Sequence, residues 1–131
     1  MTAASMYSSA SEWELLSDSA IVFRGLLRKQ WWDDVTGRIR FDAYLLRPNE
    51  LGLSVNIATF CSQEKCAGRF KNCYGVASIE VRRVRELGLD VVPDSPSYAL
   101  IIGLPYVKDD RDQAERLADL LAAQSRIVWQ P

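Results

Sequence analysis

Residues Phe23 to Trp32 read FRGLLRKQWW, so Arg24, Arg28 and Lys29 share one short stretch with Trp31 and Trp32. A guanidinium is a planar fork that pairs bidentately with phosphate oxygens, and it holds its charge at any physiological pH. Arg38, Arg40 and Arg47 follow, then Arg82, Arg83 and Arg85. Cations that track a phosphate backbone, set beside rings on which bases stack, make a sequence-tolerant surface for single-stranded nucleic acid. Two features work against that reading. Asp33 and Asp34 follow the tryptophans directly, and the isoelectric point near 5.5 is low for a nucleic-acid domain.

The charge is unevenly distributed, although the net value is only −1. Residues 21–85 carry twelve basic against six acidic side chains, whereas residues 86–131 carry four against eight. A basic middle between acidic ends is suited either to an anionic ligand or to self-complementary packing.

The chain contains no histidine. That removes Ser-His-Asp and Cys-His nucleophiles, His-based zinc sites and imidazole acid–base pairs. Any catalysis is left to carboxylates, Lys, Tyr or Cys, or to the positioning of a reactive ligand. Cys61, Cys66 and Cys73 are spaced C-x4-C-x6-C and supply three thiolates where structural zinc takes four ligands. They read as reduced, mostly buried thiols acting as small hydrophobes, and no metal is expected.

These groups need elements to carry them. With 48% hydrophobic and 25% charged residues, a chain of 131 residues has the composition of one self-sufficient core. Residues 1–11 form a loose Ser/Ala-rich segment, followed by a single domain over residues 12–131. Ser11 and Glu14 have capping-box spacing, predicting a short helix over EWELLSD with Trp13 and Leu16 inward. AIVFRGLL is a strand, with Arg24 at its end and Gly25 leaving room for a ligand or another backbone. In GRIRFDAYLL, Arg38 and Arg40 alternate with Ile39 and Phe41, which fits a strand or an extended arm; a helix over Phe41 to Leu46 remains open.

LSVNIATF is a strand, and SQEKCAGRFKNC a helix beginning near Ser62 that puts Cys66, Phe70 and Cys73 on one face. YGVASIEV, LDVVPD and SYALIIGLP are strands, the last continuous in apolar residues and therefore central. VRRVRELG is a helical turn closed by Gly88. Asp110 and Gln113 cap the final helix, whose Ala114, Leu117, Ala118, Leu121 and Ala122 make one buried stripe. Strands outnumber helices without regular βα alternation. The fold class is therefore α+β, a mostly antiparallel or mixed sheet packed by two or three helices.

FRGL at the end of a first strand, FDAY, and GLSV at the head of another strand resemble the arginine-then-serine arrangement of the ADP-ribosyltransferase superfamily. The resemblance implies NAD as ligand, with Arg24 on its phosphates, Ser54 shaping the nicotinamide pocket and Glu80, in SIEV, as the catalytic carboxylate on the ribose. The family's Ser-Thr-Ser reads Leu-Ser-Val here. The layout as a whole is also similar to small uncharacterised bacterial domains that share the arginine after the first strand and the GLSV, GLDVV and I-x-GLP segments. That similarity brings no activity with it.

The favoured function is the handling of a small phosphate-bearing ligand, a nucleotide or NAD, centred on Arg24, with no resident cofactor. Whether a reaction follows binding is left open by the sequence. A protein-interaction module using Trp31 or Trp129 is the alternative, and single-stranded nucleic-acid binding the third reading. The opening residues lack a basic and an apolar leader region, and no apolar run reaches the roughly 20 residues of a membrane span. The expected setting is cytoplasmic, with no membrane partner.

Overall fold

The computed structural model describes residues 15–131. Residues 1–11, expected to be loose, lie outside them, as does most of the expected EWELLSD helix; residues 15–18, at the end of that stretch, are not helical, and Asp18 and Ser19 form a turn into the first strand.

Within residues 15–131 six strands, all paired antiparallel, make one sheet: β1 (Ile21–Leu26), β2 (Leu53–Ile57), β3 (Gly75–Glu80), β4 (Asp90–Pro93), β5 (Tyr98–Ile102) and β6 (Arg126–Trp129), in the order β4-β5-β2-β1-β3-β6. Among the described residues three helices accompany it: α1 (Gln63–Gly68), α2 (Val81–Glu86) and α3 (Arg111–Gln124). The architecture is α+β. Among the described residues no helix is long and apolar enough to cross a membrane.

Alternation sends successive side chains to opposite faces of the sheet. Val22 and Leu26 of β1, Leu53, Val55 and Ile57 of β2, Ala77 and Ile79 of β3, and Ala99 and Ile101 of β5 fill the main core. The α3 stripe Leu117, Ala118, Leu121 and Ala122 joins this core and meets a 3-10 turn at Phe41–Tyr44. On the opposite face a smaller core holds Phe23, Val76, Cys61, Cys66 and Ala67, with Phe70, Cys73 and Trp129 against it.

Several expectations change in three dimensions. SYALIIGLP is not central: β5 ends at Ile102 and lies second from an edge, and the middle is taken by β2 and β1. GRIRFDAYLL is no strand but an arm with one isolated bridge, Trp32 to Ile39, leading into the 3-10 turn. Helix α1 stops at Gly68, so Cys73 reaches the small core from a loop. β6 adds an edge strand after α3 where the sequence showed no period-2 alternation to announce it.

Arg24 sits inside β1, not at its end, because β1 pairs with β3 through all six residues up to Leu26 opposite Gly75. The group that approaches Gly25 is the Phe70 ring: a Cβ there would collide with it, Cε2 first. Gly25→Ala is therefore expected to destabilise the protein by about 1–3 kcal/mol through overpacking. Denaturant unfolding measures this, and adding Phe70→Leu should return part of the loss.

Candidate functional site

Arg24 shares the main-core face with Val22 and Leu26, so its partly buried guanidinium comes to rest beneath the 3-10 turn at Phe41–Tyr44. Its Nε donates to the Ala43 carbonyl at 2.9 Å and its Nη1 to the Ser54 carbonyl at 2.9 Å. The head group also lies 5.8 Å from the centroid of the Trp31 ring. Desolvation lowers the Arg24 pKa, partly offset by Tyr44 and Glu50 and reinforced by the nearby Arg47 cation. Two of the fork's donors are thus committed to backbone carbonyls on two different segments. Arg24 thereby ties the 3-10 turn at Ala43 to β2 at Ser54.

Ser54 meets Arg24 only through that carbonyl. Its neighbours Leu53 and Val55 are in the main core, so the Ser54 side chain points to the other face, where the residue is exposed. Glu80 lies at the far end of β3, paired with Ile21, again on the face opposite Arg24. It lines a separate cleft with Arg83 and Arg126. The fold therefore does not assemble the side chains of Arg24, Ser54 and Glu80 into one site.

The aromatic residues next to the arginines are also committed. Trp31 is 4% exposed, within the main core, and Trp32 is half-buried with Nε1 donating to the Tyr74 carbonyl at 2.8 Å. Neither presents a free ring to a base, and the interface residues named from sequence fare alike, since Trp129 packs on the small core. Among the described residues the exposed aromatics are Phe60, Tyr74 and Tyr98, the last with Arg69 stacked 4.3 Å from its centroid. Arg83 pairs with Glu86, and Arg85 bridges Asp18 at 2.7 Å and Asp90 at 2.9 Å. These contacts raise the Arg85 pKa and lower that of Asp90.

What remains is a second group of cations. A cleft of about 480 Å³ opens between the 28–31 segment, the 42–48 segment and the turn at 107–108, and Arg28, Arg47 and Lys108 stand around it. All three are exposed, and none forms an ion pair among the described residues. Trp31, Leu45, Leu46, Pro48 and Val107 give it an apolar floor, and Asp42 supplies its one carboxylate.

The local sequence explains the placement. Arg28 precedes a one-turn 3-10 helix at Lys29–Trp31, closed by the Trp31 amide on the Arg28 carbonyl at 3.1 Å. Pro48 ends the next segment in a turn, with the Glu50 amide on the Arg47 carbonyl and the Glu50 carboxylate accepting from the Arg47 amide at 2.9 Å. The Arg47 guanidinium lies 5.5 Å from the Trp31 centroid. Tyr106 donates its hydroxyl to the Glu50 carbonyl at 2.7 Å, which ties the 104–108 loop to that turn and carries Lys108 to Arg47. The sequence reading missed Lys108 because it precedes Asp109 and Asp110 in an acidic stretch and reads locally as the approach to a helix cap.

The three thiols occupy the small core. Burial, with the neighbouring Cys61 and Cys73, pushes the Cys66 thiol up to about 12. Cys73 Sγ donates to the Gly75 carbonyl at 3.1 Å. No group of three or more Cys, Asp or Glu among the described residues is arranged to hold a metal.

No family model, curated protein or solved structure matches the chain.

Proposed function

We propose that this α+β domain binds a small phosphate-bearing molecule in the cleft bounded by Arg28, Arg47 and Lys108. The observation that carries the reading is the convergence of three cations, free of ion pairs among the described residues, on one apolar-floored cleft. Three cations gathered with a single carboxylate among them repel one another, and a bound anion relieves that repulsion while gaining charge-assisted hydrogen bonds. The centre of the site is thus the three outer cations. Arg24 supports them from below, by fixing the segment that presents Asp42 and Arg47. The polar lining is made mostly of cations, which supports binding more than bond-making. A reducing, cytoplasmic setting belongs to the same reading and is supported by three free thiols gathered in one small core.

Thermal unfolding in the presence of inorganic phosphate, pyrophosphate, nucleotides, NAD and a short RNA tests the proposal. A ligand at 100 times its Kd adds about 2.7 kcal/mol, a rise in Tm on the order of 10 °C for a domain of this size. Arg28→Ala and Arg47→Ala should each weaken binding by roughly tenfold or more, since hydrogen bonds to charged groups contribute about 1.5–3 kcal/mol. Being exposed, both should leave unliganded stability nearly unchanged. Silence from every phosphate-bearing compound, or binding that survives the double variant, overturns the proposal.

A further inference from the structure

Resting on the phosphate reading above, the geometry points to a narrower ligand class: we infer that the cleft takes the dianionic end of a phosphate monoester whose hydroxyl-bearing body crosses Asp42 into an adjoining cleft. Two observations converge on this.

The first is the charge count at the anion end. Three cations against one carboxylate leave the first cleft with a formal charge of +2. A terminal phosphate monoester carries about −1.5 to −2 at neutral pH and matches that charge, whereas a phosphodiester link carries only −1. The second is a neighbouring cleft of about 600 Å³, which Asp42 also lines, making it the wall between the two. Beyond Asp42 the character reverses. Asp33 and Asp119 join Asp42 against Arg38 and Arg40, with Phe41 and Ile39 as apolar surface.

Carboxylates are acceptors only, so a ligand that reaches them gains by presenting hydroxyl or amine donors. Asp33 is already partly engaged, with Oδ1 accepting from the Val35 amide at 2.9 Å, a contact that lowers its pKa. Asp42 and Asp119 are left to receive the ligand. A carboxylate beside the phosphate subsite is unfavourable for a bare anion and favourable for an ester whose own hydroxyls lie next to its phosphate. Asp42 is thus the residue that selects the ester over the free ion.

The pH dependence distinguishes the ligand classes. The charged groups around the phosphate are Arg28, Arg47, Lys108 and Asp42, with Arg24 and Glu50 behind them. The chain has no histidine, the side chain whose ordinary titration falls between pH 5 and 8. The second ionisation of a phosphate monoester lies near 6, so its apparent affinity should fall about fourfold from about pH 7.5 to about pH 5.5. A phosphodiester has no ionisation in that window.

Calorimetric titration of the full chain with inorganic phosphate, methyl phosphate, glucose 6-phosphate, ribose 5-phosphate and a dinucleoside phosphodiester makes the test. The sugar phosphates should bind at least tenfold more tightly than methyl phosphate and the diester, with the stated loss at low pH. Asp42→Asn should act in opposite directions, strengthening inorganic phosphate roughly three- to tenfold by removing a repulsive charge and weakening the sugar phosphates. Asp119→Asn should weaken only the sugar phosphates.

If nothing in the series binds, the phosphate reading itself has failed. If inorganic or methyl phosphate binds as tightly as the sugar phosphates, or the diester binds as tightly as the monoesters, the monoester inference alone is overturned. The same holds if Asp42→Asn shifts all ligands in one direction.

Discussion

Arg24→Ala is expected to lower the stability of the ligand-free protein by about 2–4 kcal/mol, and Arg24→Lys to recover only a minor part of that loss. The guanidinium serves two acceptors on separate segments, the Ala43 carbonyl on the 3-10 turn and the Ser54 carbonyl on β2. Removing it strands both and empties the space beside the buried Trp31 ring. A lysine keeps the charge, but its single ammonium cannot present two donors in the fixed geometry of a planar fork. Because burial lowers the Arg24 pKa, enclosing the cation costs stability throughout the neutral range, and that cost is relieved only in strong alkali as pH rises through the folded value.

Bonds to the two carbonyls and contact with the aromatic ring offset this cost, and it is these contacts that the substitutions remove. Urea unfolding of the two variants measures the effect. A change under about 0.5 kcal/mol in Arg24→Ala would show that the side chain is only a solvated rim charge. Ligand affinity should fall in both variants as a consequence, because the segment bearing Asp42 and Arg47 loses its anchor.

Tyr44→Ala is expected to have a still larger effect, about 3–5 kcal/mol, because it deletes a ring that is 0% exposed between the 3-10 turn and α3. Tyr44→Phe separates the hydroxyl from the ring. Ser125 Oγ donates to the Leu121 carbonyl at 2.8 Å, so the 2.6 Å contact between Tyr44 and Ser125 has the phenol as donor. Losing that bond should cost about 1 kcal/mol. Desolvation raises the Tyr44 pKa above 10.0. An acid whose folded pKa is raised contributes stability that is complete below its unfolded pKa and is lost as pH rises past it. The native protein should therefore lose stability from about pH 10 upward more steeply than Tyr44→Phe does. Equal alkaline slopes for the two proteins would show that the phenol ionises as freely in the fold as outside it.

The sequence was most informative where one short segment carries the whole physical argument. The α3 stripe from Ala114 to Ala122 is buried as its spacing requires, and Asp110 accepts from the Gln113 amide at 3.1 Å as the cap. Ser62 caps α1 in the same way, accepting from Lys65. Alternation in LSVNI and GVASIE sorts side chains between two faces whatever the partner strands are. Even the arm at GRIRF keeps its pattern, Ile39 buried and Arg38 and Arg40 exposed, although it is not a strand.

The misplacements share one cause. Arg24, Ser54 and Glu80 look like a set along the chain, but which strands adjoin and in what register is set by contacts remote in sequence. A shift of one residue in that register reverses the face on which a side chain appears. β5 reads as central because it is apolar throughout. Yet a strand second from an edge is also covered on its core side, and composition does not distinguish the two positions.

The sequence by itself determined the fold class, the helix starts at Ser62 and Asp110, the core stripe of α3 and the chemistry that a chain without histidine cannot perform, because each depends on residue type and local period. Only the tertiary structure decided that Arg24 is spent on backbone carbonyls and that Trp31 is core. It alone brought Arg28, Arg47 and Lys108 together around one cleft. These cations come from three separate loops, and what joins them is long-range: the Tyr106 bond to Glu50, the Arg24 fork and the packing of the 3-10 turn on α3. Contacts of that kind leave no periodic trace in the residues that make them.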